Sequence, residues 1–129
     1  MEAIKRMGEE VILIFPCLPP SELMPNRLRT LHWAVRARVQ AEARQEGFLV
    51  AMEGKDGWTA PEHAVISYEF HWKDKRKRDL DNLVSGCKAW LDGIVQSGVL
   101  LGDDAYHLSI GSVTYSPGKN ETVITIEAK

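Results

Sequence analysis

The stretch KDKRKRDLDNL, residues 73–83, places five basic side chains, Lys73, Lys75, Arg76, Lys77 and Arg78, directly before Asp79-Leu80-Asp81-Asn82. Cations at this density attract phosphate, and two carboxylates two residues apart offer hard oxygen ligands to a divalent metal. In extended backbone Asp79 and Asp81 leave the same side of the chain, so both carboxylates can share one cation. Mg2+ suits such a site. It takes a few carboxylates, keeps several waters, and in phosphoryl-transfer chemistry activates a water and stabilises the leaving oxygen. A third carboxylate would complete the site, and Asp103 or Asp104 is the candidate. This requires the strand after them to pair beside the strand that ends at the basic run.

Each of these residues also has a plainer reading. Asp79 and Asp81 suit a helix N-terminus, where a cap and the helix dipole are worth about 1 kcal/mol. The basic run would then be a solvated loop with local ion pairs. Lys88 lies on nearly the same helix face as Asp81, about 10 Å further along the axis, and reads either as an i,i+4 pair with Asp92 or as a phosphate contact. Arg29, Trp33, Arg36, Gln40 and Arg44 follow helical spacing and read either as a solvated face or as contacts to a nucleic-acid backbone. His32, His63, His71 and His107 form no metal-ligand spacing and read as structural or surface residues; the strand of His71 leads into the acidic site.

The elements that position these groups follow from periodicity. VILIFPC is a β-branched run closed by the turn-rich LPPSELMPN, a strand followed by a loop. Leu28, Leu31, Val35 and Val39 recur at helical steps between a cap at Asn26 and a stop at Gly47, which predicts an amphipathic helix over roughly residues 27–46. HAVISYEFHW alternates cleanly and predicts a strand over 63–72. Leu83, Cys87, Trp90, Leu91 and Ile94 mark the buried stripe of a second helix, starting at Asp81 or Asn82 and ending near Gly98. YHLSIGSVTY and ETVITIEA are strands joined by the turn SPGKN. The fold class is therefore α/β (α+β): a single domain over residues 1–129, with a small mixed β-sheet and two α-helices packed on it.

Composition agrees. The chain has 129 residues, 44% hydrophobic and 26% charged, which suffices for a core and sets aside disordered and fibrous classes. Cys17 and Cys87 fit neither a disulfide framework nor a CxxC pattern and read as reduced thiols of a cytoplasmic protein. VILIF is too short to span a membrane and follows GEE rather than a basic segment, so neither a membrane partner nor export is expected. The net charge of -2 argues mildly against nucleic acid, but it counts carboxylates that a bound metal would neutralise.

KRKRDLDNL, KAWLDGIVQSGVLLGDD and, more loosely, FPCLPPSELMPNR resemble the RusA-type Holliday junction resolvases, many of them prophage-encoded; with the order of elements, the resemblance covers most of the chain. It implies a RusA-like fold and a homodimeric, Mg2+-dependent endonuclease, with Mn2+ as a substitute, that nicks four-way DNA junctions in symmetric pairs. The family's catalytic aspartates fall on Asp79, Asp81 and one of the Asp103-Asp104 pair. Matching the double aspartate selects Asp104, counting from Gly98 selects Asp103; Asp104 is preferred and both are kept. The family lysine one turn past the second aspartate is here Ser85, and the insertion VSG would bring Lys88 into its register. Lys73, Lys75, Arg76, Lys77, Arg78, Arg29 and Arg36 would contact DNA. A protein that binds branched DNA without cutting it is the alternative, and a phosphohydrolase of small nucleotides a third reading.

Overall fold

The computed structural model describes residues 2–7 and 10–129. Among these the chain forms β1 (Glu2–Met7), β2 (Glu10–Phe15), α1 (Pro25–Leu28), α2 (Trp33–Gly54), β3 (Ala64–Trp72), α3 (Leu80–Gly86), α4 (Lys88–Ser97), β4 (Leu108–Pro117) and β5 (Glu121–Ala128). The strands make one mixed sheet in the order β1-β2-β5-β3-β4, antiparallel throughout except for the parallel pair of β3 and β4. A small α+β domain with helices packed on a mixed sheet is thus what the chain builds.

The alternation that predicts β3 is the alternation that builds the core. Ala64, Ile66, Tyr68, Phe70 and Trp72 are buried, joined on the same face by Val11, Leu13 and Phe15 of β2 and by Ile124 and Ile126 of β5. Residues two apart in a strand share a face, so three interior strands supply one continuous apolar surface. The helices cover it, with Trp90 of α4 stacked on Phe15 at 4.0 Å between ring centroids. Leu83, Cys87, Trp90 and Ile94 are buried as expected, and Leu91 is partly buried against them.

Several elements depart from expectation; the single second helix expected to run to Gly98 is two, α3 and α4, parted at Cys87, whose N–H bonds to Val84 O at 3.0 Å. β1 was not anticipated: EAIKRM has neither clean alternation nor β-branched enrichment, and its strand state comes from backbone pairing with β2, Ala3 opposite Leu13. The first helix is broken before Trp33, because Thr30 N–H and Oγ1 both bond back to Arg27 O at 3.1 Å and His32 caps a new helix, its Nδ1 accepting Ala34 N–H at 3.2 Å. That helix then runs past Gly47 to Gly54. Gly47 is not a stop but a close-approach residue: a Cβ there would collide with the Trp90 backbone, and one on Gly93 with the Arg44 carbonyl and, at 2.6 Å, the Phe48 nitrogen. α2 and α4 therefore cross almost backbone to backbone.

Gly98, at φ 89°, ends α4 in the left-handed conformation, and its N–H bonds to Val95 O. Both cysteines are free, and burial pushes the Cys87 thiol well above its ordinary pKa. No helix among the described residues is long and apolar enough to cross a membrane.

Candidate functional site

The basic run is a structured loop. Arg78 Nη1 and Nη2 donate to Asp74 Oδ1 and Oδ2 at 2.9 and 3.1 Å, and the guanidinium lies 5.0 Å from the centroid of the Trp72 ring. Asp74 Oδ1 also accepts the Arg76 N–H at 2.9 Å. The Arg78 hydrogen bonds, followed by that from Arg76, hold the Asp74 carboxyl below the usual carboxylate range. Arg78 is thereby committed to the protein rather than free for phosphate. Lys73, Lys75, Arg76 and Lys77 are exposed and make no ion pair among the described residues.

Asp79 occupies the N-cap position of α3, at φ -82° and ψ 128°, yet its side chain makes no cap hydrogen bond; Asp81 sits in the first helical turn. Neither carboxylate accepts a side-chain hydrogen bond or forms an ion pair among the described residues. The cap reading is therefore not enacted by the side chains. The expectation that extended backbone aligns both carboxylates is corrected too. The helix begins at Leu80 with Asp79 at the cap position, ahead of the expected cap at Asp81 or Asn82, so only Asp79 is extended and two-residue alternation does not relate the pair.

The strand condition on the third carboxylate is met, since β4 pairs beside β3, with Ala64 opposite Leu108. That parallel register places Asp103 and Asp104 after the far end of the α3–α4 crossover, while Asp79 and Asp81 flank its start. No group of three or more His, Cys, Asp or Glu side chains that could hold a metal occurs among the described residues. Among the described residues the three-carboxylate cluster is thus not assembled. Asp79 and Asp81 are oxygen donors of the type that Mg2+ takes, one or two at a time, together with substrate oxygens and retained waters.

Asp103 and Asp104 face different partners. Asp104 accepts the Tyr106 N–H at 2.9 Å and bonds His107 Nδ1, which lowers its pKa foremost and closes its own turn. Asp103 reaches Lys88 Nζ at 2.8 Å, and that hydrogen bond lowers its carboxyl pKa. Lys88 also pairs with Asp92. Partial burial works against the Lys88 charge, but the two carboxylates outweigh it and hold its pKa above the ordinary value. Of the two sequence readings of Lys88, the structure contains the ion pair, with a second acid that spacing alone could not supply.

The expected stripe is interrupted, since Arg29 ends α1 while Arg36, Gln40 and Arg44 ride on α2, yet all four line adjoining clefts. One cleft of about 630 Å³ is lined by Asn26, Arg29, Arg36, Ser85 and Lys88. It shares Leu23, Leu28, Ser85 and Lys88 with a second that holds Gln40, Arg44 and Asp92, and shares Asn26 with a third that holds Arg76, Lys77, Arg78, Asp79 and Asn82. A fourth meets them at Ser85 and Lys88 and carries Asp103 and Tyr68. Ser85, where the family lysine was sought, therefore stands where three clefts join. His71 lies away from this groove, on the other sheet face, bonded to Glu69 at 3.1 Å. No family model and no curated protein matches the chain.

Proposed function

We propose that this protein is a Mg2+-dependent endonuclease that binds and nicks branched DNA, in line with its resemblance to RusA-type junction resolvases, in the cytoplasm and as a homodimer. The observation that carries this reading is the run of adjoining clefts in which Arg29, Arg36, Arg44, Arg76 and Lys77 line the walls and the unpaired Asp79 lies among them. Cations along a groove neutralise backbone phosphates, and hard oxygens beside them suit chemistry at one phosphodiester.

In this reading Arg29, Arg36, Arg76 and Lys77 hold the phosphates, with Lys73 and Lys75 extending the field. Arg78, held by Asp74 and Trp72, fixes the backbone that presents Asp79. Asp79 and Asp81 would hold Mg2+ or Mn2+, which when bound supplies an activated water and charge neutralisation at the leaving oxygen. Asp103 rather than Asp104 is the third functional carboxylate, because Asp104 is used up in its own turn, and Lys88 is the residue that positions it. Paired nicks need two equivalent sites, which a two-fold dimer provides. Tyr106 and Ile110, 87% and 62% exposed near the edge strand β4, offer apolar surface for it.

A binding protein without cleavage is the second reading, favoured by the commitment of Lys88 to Asp92 and Asp103. A labelled four-way junction separates the two. Retardation in Ca2+ with paired nicks in Mg2+ or Mn2+, and a loss of about a hundredfold or more in cleavage for Asp79→Asn with binding retained, is the expected result. Retardation without nicking in any metal leaves the binding reading. Hydrolysis of mononucleotides with indifference to DNA shape would replace both.

A further inference from the structure

We propose that Trp33, one helical turn from the cleft-lining Arg36, is a stacking platform for an unpaired nucleobase, so that the protein selects DNA with a single-stranded or branched element; this rests on the nucleic-acid reading above. Trp33 is the first residue of α2, 72% exposed, whereas Trp72 and Trp90 are 6% and 1% exposed. The fourth indole, Trp58, is half-buried and donates to Val99 O at 2.9 Å. Trp33 is thus the one indole whose ring is given to solvent.

Its backbone is nevertheless fixed. His32 caps the helix through Ala34 N–H, and the His32 and Trp33 rings stack at 5.7 Å with an interplanar angle of 28°. The neighbours along the helix, Ala34 and Ala37, are small and exposed, so no large side chain from that surface covers the ring. One turn on, Arg36 lines the cleft together with Arg29.

An isolated exposed apolar residue is ordinary on a protein surface. An exposed aromatic ring one helical turn from a cleft-lining arginine has a specific use: a base stacks on the ring while the guanidinium follows the backbone. Every base has a π-face, so such a platform is tolerant of sequence. A base inside a duplex has both faces occupied by its neighbours, so only an unpaired one can present a face to Trp33.

The test uses the full chain in Ca2+, without turnover, titrated with a fifteen-nucleotide dT strand and with a duplex of the same length. Binding of the single strand should protect the exposed tryptophan from acrylamide quenching. Trp33→Ala should weaken single-strand binding by roughly tenfold or more while changing duplex affinity and the salt slope little. Trp33→Phe should retain most of the affinity and Trp33→Leu should not, which separates a π-face from mere apolar area. Equal losses on single strand and duplex, equivalence of the Phe and Leu variants, or a change in oligomeric state of Trp33→Ala without DNA would overturn the proposal. If neither DNA binds, the nucleic-acid reading itself fails; if both bind with Trp33 unaffected, only the platform does.

Discussion

Arg78 and Asp74 are joined by two parallel hydrogen bonds, 2.9 and 3.1 Å long, that close a loop over Lys75, Arg76 and Lys77. Because the guanidinium also stacks on Trp72, whose carbonyl accepts the Tyr115 hydroxyl at 3.0 Å, the loop is anchored to the end of the sheet. The one arginine turned inward lets the flanking cations face outward.

Arg78→Lys should therefore fail although it keeps the charge. A lysine ammonium can neither bond both carboxylate oxygens in one plane nor stack flat on an indole. Amide exchange over residues 74–80 should accelerate by roughly five- to tenfold, much as in Arg78→Ala. Exchange unchanged in the lysine variant would show that charge alone orders the loop.

Asp103→Asn and Asp104→Asn should separate. The first removes the partner of Lys88 and should lower metal-dependent cleavage by about tenfold or more. The second loosens the Gly102–His107 turn and should cost much less in rate. Single-turnover cleavage of a junction measures both, and a larger loss at Asp104 would reverse the assignment.

The pH dependence of stability has a definite sign. Asp74, Asp103 and Asp104 have folded pKa values below their ordinary ones, so they bind fewer protons folded than unfolded. Their stabilisation is present above the ordinary carboxylate value of about 3.9 and is lost as pH falls through the depressed values. Lys88 is raised, so its part is present below about 10.4 and is lost as pH rises through its folded value. Urea midpoints should be flat near neutrality and fall at both extremes, with Lys88→Met flattening both limbs. These groups are largely exposed, so the effect is modest and diminishes in salt.

Neutralising the groove should change salt dependence rather than chemistry. Arg36→Gln and Arg29→Gln should each make the slope of log affinity against log salt shallower by about one unit. Both variants should still cleave bound substrate. An unchanged slope would remove that residue from the phosphate wall.

Much of the fold was legible because period carried it. β3 needed only its own alternation, and the stripe from Leu83 to Ile94 located the buried face of α3 and α4 but not the break between them at Cys87. Gly47 misled because a glycine after an apolar run reads as a helix end, whereas its use is to admit Trp90 of a helix far along the chain. β1 was illegible because its state belongs to its pairing partner. At the site, the residue types at 73–81 were readable, but the grouping of Lys88 with both Asp92 and Asp103 was not. The second contact depends on β4 returning parallel to β3, and the i,i+4 rule reports only the first.

The glycine crossing of α2 and α4 has a final consequence, for measurement. Arg36 and Arg44 ride on one helix, and Lys88 begins the other. With the backbones in near contact at Gly47 and Gly93, no side chain separates the two helices at the crossing. The groove behaves as a fixed caliper rather than a closing hand, its jaws set during folding. If the proposed nucleic-acid reading holds, a strand whose phosphates match that opening should be gripped without rearrangement. On the same reading, one whose phosphates do not match should itself bend, so that the cost of a wrong shape would fall on the nucleic acid.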